Sequence, residues 1–313
     1  MDKKVVLWTP SFASTKSDYN SGLRRLKALG IEAIIPAAVA KNACKKQSTS
    51  RPFLAGGSDE LKAETLAEAW AHKETQTLLA TRGGYGALRL LPHLDKIRSL
   101  SSAKKTLWGY SDLTVIQQYL HQRNGAPWVH SPMLTSPAFF APKPKEAKAW
   151  ATLLSETEEF SEQSLKVLNL SSKHRGKSEL RASTWGGNLA SLITMMGTPW
   201  EFHIPTNSWL FIEEVGEKAY RVDRLLKQLS YHRDFKNLKG VILGHFTQCP
   251  GSQKLLQLWA EESDLTLVSG IQAGHESPNI PLVLGSEAYF SRKSQNTYSL
   301  TLPIPRFGVR VKG

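Results

Sequence analysis

From the N-terminus to about residue 110, short apolar runs alternate with longer amphipathic stretches. Lys3 to Pro10, KKVVLWTP, reads as a strand that ends in a loop. In SDYNSGLRRLKALG, Leu23, Leu26 and Leu29 recur at helical spacing; Ser17 or Asp18 stands where a cap is needed, and Gly30 ends the pattern. IEAIIP is the next strand, halted by Pro36. Asp59 to Lys73 predicts a helix with Ala63, Leu66 and Trp70 on one face. TQTLLATRGG is a strand, GALRLLPHLDKIRSL a helix interrupted near Pro92, and KKTLWGY another strand. This β-α-β-α alternation predicts a parallel sheet covered on both faces. Ligand sites in such folds lie beyond the carboxyl ends of the strands. Two loops stand there, RGGYG and GYSD.

The pattern changes after a polar stretch. Residues 1–141 form the first predicted domain, 142–177 a connecting segment with a helix and a strand of its own, and 178–313 a second domain. There the strands are shorter and separated by Gly/Pro turns: SWLFIEEVG, GVILGHFTQ, TLVSGIQAGH and YSLTLPIPRFGVRVKG. RVDRLLKQLSYH is the one clear helix among them, so this domain is expected to be smaller and mostly β.

Composition narrows the class without naming a function. Of 313 residues, 41% are hydrophobic and 21% charged, as in an ordinary globular protein with a substantial core. No run approaches the roughly 18 apolar residues of a membrane span. The opening MDKKVVLWTPSFAST holds only the short apolar run VVLW, below the about 7–15 residues of a signal sequence, so a cytoplasmic location is expected. Cys44 and Cys249 lack any CxxC spacing and read as free thiols. A net charge of +13 raises nucleic-acid binding, but the basic residues fall in short groups without interleaved aromatics or a recognition motif. A preference for an acidic substrate accounts for the charge as well.

Four places carry candidate chemistry. Ser111 follows a strand and precedes Asp112 and a helix, which fits either an exposed nucleophile on a sharp turn or a plain helix cap; G-Y-S-D-L does not match G-x-S-x-G. Gly83, Gly84 and Gly86 lie between a strand and a helix, suited to a tight turn or to close approach of backbone amides to a ligand. Of nine histidines, His245 and His275 each follow a strand and a glycine, and local context does not separate them. Glu213 and Glu214 end an apolar strand, where alternation turns one of them inward.

Together these segments resemble the LD-carboxypeptidase family of serine peptidases. The matching stretches are ATRGGYGALRLLPHLD, WGYSDLT, STWGGNLASL, LFIEEVGEKAYRVDRLLKQL, VILGHF and GHESPNIPLVLGSEA, in the family's order across nearly the whole chain. The resemblance implies a doubly wound N-terminal domain, a β-rich C-terminal domain and a homodimer that needs no metal or organic cofactor. It also implies a Ser-His-Glu triad: Ser111 as nucleophile, His275 as general base and Glu213, the first acid after the apolar run, as its carboxylate partner. The oxyanion would be received by amides of Asp112 and Gly84. Gly83, Tyr85, Trp185, Asn188, Tyr220 and Arg224 are candidates for substrate contact or support. The implied reaction is release of terminal D-alanine from a murein tetrapeptide. An antibiotic-detoxifying carboxypeptidase of the microcin type and a non-catalytic cell-wall peptide-binding protein are the competing expectations.

Overall fold

Four consecutive side chains without solvent exposure, Val5 to Trp8, explain why β1 (Lys3–Trp8) is a central strand: both its faces are covered. The computed structural model describes residues 3–45, 56–101, 105–154, 161–294 and 296–302. They fall into two compact units, drawn from Met1–Glu156 and Thr157–Ile304.

In the first unit β1 is followed by α1 (Lys16–Ala28), β2 (Ile31–Ile34), α2 (Ala37–Asn42), α3 (Asp59–Ala71), β3 (Thr77–Ala80) and α4 (Ala87–Leu94). Then come β4 (Thr106–Gly109), α5 (Thr114–Asn124), β5 (Trp128–His130), α6 (Pro137–Phe140) and α7 (Pro144–Leu154). The five strands pair in parallel in the order β5-β4-β3-β1-β2. The order reverses between β1 and β3, and the loops leaving those two strands open the crevice where doubly wound sheets bind ligands. α1 packs with α6, and α3, α4 and α5 pack in succession. The alternation of short apolar runs and amphipathic helices is therefore realised as expected. One detail differs: α1 begins at Lys16 and is capped by Thr15, not by Ser17 or Asp18. The Thr15 hydroxyl accepts from the Asp18 amide, and Asp18 returns a carboxylate to that hydroxyl, 2.8 Å away.

The second unit runs β6 (Ser161–Asn169), β7 (Glu179–Asn188), α8 (Leu189–Ile193), β8 (Ser208–Val215), α9 (Ala219–Ser230) and β9 (Leu238–Thr247). It continues with α10 (Ser252–Glu262), β10 (Thr266–Ser269), β11 (Leu282–Leu284), β12 (Ser286–Ser294) and β13 (Thr297–Leu302). Seven of these strands close a barrel in the order β10-β6-β13-β12-β7-β8-β9. β7, β8, β9 and β10 are mutually parallel, with α8, α9 and α10 as the crossovers between them. The unit is β-rich as expected but holds more helix than its pattern suggested. α10 buries Leu256, Trp259 and Ala260 on one face, while the exposed Leu258 blurs that periodicity in the sequence. The segment 142–177 contributes α7 to the first unit and β6 to the second. Of the C-terminal strand pattern, residues 303–313 lie outside the described residues.

Candidate functional site

The turn after β4 departs from ordinary backbone geometry at one residue. Ser111 has φ of 67°, in the left-handed region that costs a non-glycine residue on the order of 1–3 kcal/mol. It opens a short 3-10 turn, Ser111–Leu113, that leads into α5. No side-chain cap bond forms at the start of this turn or at the start of α5, so the Ser111 hydroxyl is not spent on capping. A strained strand-to-helix turn of this kind is one way a serine hydroxyl is presented outward.

The glycine loop lies against this turn. A Cβ on Gly83 would stand 3.2 Å from the Ser111 Cβ and 3.5 Å from its Oγ, so any side chain at this position would crowd the serine. Gly84 has φ of 131°, and a Cβ there would meet the Phe12 ring at 2.5 Å. Tyr85 is more than half exposed. Asp112 does not begin its own helix with its side chain. Its Oδ2 accepts from the Ser11 hydroxyl at 2.6 Å and from the Ala87 amide, the first residue of α4, at 2.9 Å. Burial pushes the Asp112 carboxyl above its usual range, and these two donors and Lys62 oppose that rise.

In the second unit the two glutamates at the end of β8 separate cleanly. Nδ1 of His275 lies 2.7 Å from Oε2 of Glu213, whose side chain is fully buried. Glu214 accepts instead from the Asn188 side-chain amide at 3.0 Å and from the Ala190 and Val215 backbone amides at 2.7 and 2.9 Å. It thereby holds the start of α8, while Asn188 caps the same helix by accepting from the Ser191 amide. Both acids are buried, not one, because both faces of β8 are covered from Ser208 to Glu214. Beside them β9 carries an extra residue, Ile212 pairing Leu243 but Glu214 pairing Phe246. Gly244 and His245 fill the bulge opposite Glu213. Gly274 fits between Glu213 and His245, where a Cβ would come within 3.0 Å of Oε2 and 3.1 Å of the His245 Cβ. Asn279 receives the Gly274 amide at 3.2 Å and shapes the loop that presents His275. Burial alone would lower the His275 pKa, but the Glu213 hydrogen bond and the charges of Glu213 and Glu214 outweigh it and leave the imidazole raised.

The remaining candidates divide. Trp185 is buried, lies tilted against Phe202 and donates its indole N–H to Ser208 at 3.0 Å, so it supports the barrel and presents no face to a ligand. Asn188 likewise supports Glu214. Tyr220 and Arg224 are exposed on α9, the guanidinium 5.7 Å from the Tyr220 ring. Arg224 borders a groove between α8 and α9 with Ile193, Met196, Leu225 and Arg221. His174 and His232, in segments that read as polar, are buried and stacked on Trp209 and Phe202. Sequence reasoning missed Ser11 and Lys62, which reach Asp112 from distant segments and have no motif of their own. Among the described residues no group of three or more His, Cys, Asp or Glu is arranged to hold a metal, and no helix is long and apolar enough to cross a membrane.

Removing Glu214 strands three donors that it now satisfies. Glu214→Ala is expected to lower stability on the order of 2–3 kcal/mol, read as a shift of the denaturant midpoint. A shift under about 0.5 kcal/mol would show that water replaces the carboxylate and that it anchors nothing.

Known proteins repeat this two-part organisation. Residues 5–131 match the LD-carboxypeptidase N-terminal domain and residues 181–290 the LD-carboxypeptidase C-terminal domain. A murein tetrapeptide carboxypeptidase of Pseudomonas aeruginosa is 29% identical, over 89% of this chain and 90% of that protein. The microcin C7 self-immunity protein MccF of Escherichia coli is 22% identical, over 88% of this chain and 86% of its own length. Among solved structures, muramoyltetrapeptide carboxypeptidase from Oxalobacter formigenes superposes with a TM-score of 0.78 at 26% identity, covering 96% of this chain and 98% of that one.

Proposed function

Because this chain belongs to the LD-carboxypeptidase family, we propose that it hydrolyses the bond before the terminal D-alanine of murein tetrapeptides through an acyl-enzyme on Ser111. Support comes from within each unit: Ser111 sits on a strained turn with a hydroxyl that caps no helix, and the His275 imidazole is held by a buried carboxylate. His275 Nε2 takes the Ser111 proton as Oγ attacks the scissile carbonyl. Glu213 fixes the tautomer by accepting from Nδ1 and stabilises the imidazolium that forms. The amides of Asp112 and Gly84 receive the oxyanion. His275 then returns the proton to the departing amine, D-alanine leaves, and water activated by the same imidazole opens the ester and frees Ser111.

The substrate carries several carboxylates, and the +13 net charge of the chain suits them. Arg224, with Tyr220 beside it, is the proposed electrostatic contact on α9; Arg221 is already paired with Glu217 at 3.1 Å. Arg224→Ala is expected to raise KM about three- to tenfold with kcat nearly unchanged, since a charge contact is equally present in ground and transition states. Steady-state kinetics at two salt concentrations check this, and an unchanged KM removes Arg224 from the site. A homodimer and a cytoplasmic location belong to the same proposal and are tested by sedimentation and cell fractionation.

Mass spectrometry of tri-, tetra- and pentapeptide murein fragments incubated with the protein tests the function. Loss of one alanine from the tetrapeptide alone is the expected result. Cleavage confined to an aminoacyl sulfamoyl nucleoside would transfer the assignment to antibiotic detoxification, and binding without cleavage to a peptide-binding protein.

A further inference from the structure

We propose that the Asp112 carboxylate is a positioning group that locks the nucleophile turn to the glycine loop, a task separate from that of its amide. The proposal rests on Ser111 being the nucleophile. Three loops beyond the carboxyl ends of adjacent strands meet on this one side chain. The loop after β1 sends Ser11, whose hydroxyl donates to Oδ2 at 2.6 Å. The loop after β3, Gly83 to Gly86, ends at Ala87, whose amide donates to the same oxygen at 2.9 Å. The loop after β4 supplies Asp112 itself. A carboxylate at the start of α4 also complements that helix's dipole.

A buried charge of opposite sign backs this junction. Lys62 on α3 is 2% exposed and interacts electrostatically with Asp112 and Asp59. Asp59 Oδ2 in turn receives Arg89 of α4 at 2.9 Å from Nε and 2.7 Å from Nη2. Arg89, Asp59, Lys62 and Asp112 thus alternate in sign from the surface of α4 to the residue next to the nucleophile. Burying lysine and aspartate together is costly unless they neutralise each other, and nothing in the hydrolytic steps uses Lys62 directly.

Position in the chain makes this arrangement matter for chemistry. Asp112 follows Ser111 directly, so anchoring its carboxylate restrains the backbone that carries the Ser111 side chain and the 112 amide. The strained φ at Ser111 persists only if its surroundings hold it. Ala87 follows Gly83 and Gly84 by a few residues, so the same oxygen that holds the turn also holds the proposed second oxyanion amide. Nucleophile and oxyanion donors are kept in one frame.

The test compares the wild-type protein with Asp112→Asn and Ser11→Ala. Three quantities are read on each: the rate at which a fluorophosphonate labels the protein, kcat and KM for D-alanine release, and thermal stability. Asp112→Asn is expected to slow labelling and kcat together by about 30- to 100-fold, and Ser11→Ala by about tenfold, with KM moving less than about threefold. A stability role alone would lower the melting temperature and leave kcat per folded molecule unchanged. Labelling and kcat within twofold of wild type in folded Ser11→Ala and Asp112→Asn would overturn the proposal; should Asp112→Asn not fold, Ser11→Ala decides it. Ser111→Ala separates the two levels of inference. If labelling persists in that variant, the nucleophile assignment falls; if it is lost there but unchanged in the other two, only the positioning role falls.

Discussion

Ser111→Ala is expected to abolish D-alanine release while leaving the fold intact. Without the hydroxyl no acyl-enzyme forms, and only whatever the oxyanion donors contribute to direct attack by water remains. In serine hydrolases this change costs on the order of 10⁶ in kcat. The fold should survive, because the hydroxyl caps neither the 3-10 turn nor α5. The left-handed φ at residue 111 strains alanine about as much as serine, so the substitution adds no backbone penalty of its own. Discontinuous assay of released D-alanine, together with circular dichroism, checks both halves. Activity above about 1% of wild type would remove Ser111 from the mechanism.

Glu213→Gln is expected to be nearly as severe, lowering kcat by about 10³–10⁴. Glutamine keeps the size and leaves the strand end filled, but its amide can face Nδ1 with a donor and favour the wrong tautomer. The charge that raises the His275 pKa also disappears. The sign of the pH effect follows. As the proposed base, His275 must be neutral to accept the Ser111 proton, so wild-type kcat/KM is expected to rise with pH through a pKa above the ordinary histidine value near 6.5, and Glu213→Gln to move that acidic limb to lower pH. The raised pKa has a matching effect on stability: protonated His275 stabilises the fold at pH below its unfolded pKa, and that contribution is lost as pH rises through the folded value. A pH–rate profile of both proteins checks the kinetic part. An acidic limb that stays in place would show that another group is the base, with His245, across Gly274 from Glu213, the first to test.

Sequence and structure divide this protein along the range of the interactions involved. Local patterning was enough to read the parallel sheet of the first unit, because alternation of apolar runs with helical spacing expresses contacts within an element and its immediate neighbours. The glycines at 83, 84 and 86 and the Gly-Tyr-Ser-Asp turn were visible for the same reason. α10 was not, since Leu258 breaks its apolar stripe, and neither was barrel closure, which depends on β6 meeting β10 and β13 from far along the chain.

At the candidate site the family resemblance pointed to Glu213 as the partner of His275, while local patterning left the finer contacts open and the tertiary structure supplied them. By sequence Asp112 read as the start of a helix, yet its carboxylate serves α4 and Ser11, residues 25 and 101 positions away. Glu213 and Glu214 are adjacent and chemically identical. Adjacent positions in β8 point to opposite sides, and a loop 62 residues downstream brings His275 to one while α8 meets the other. The sequence by itself determined which groups were available and the local turns that carry them. Which carboxylate meets which donor was decided only by the folded chain, because a hydrogen bond is set by distance in space, and spacing along the chain does not encode it.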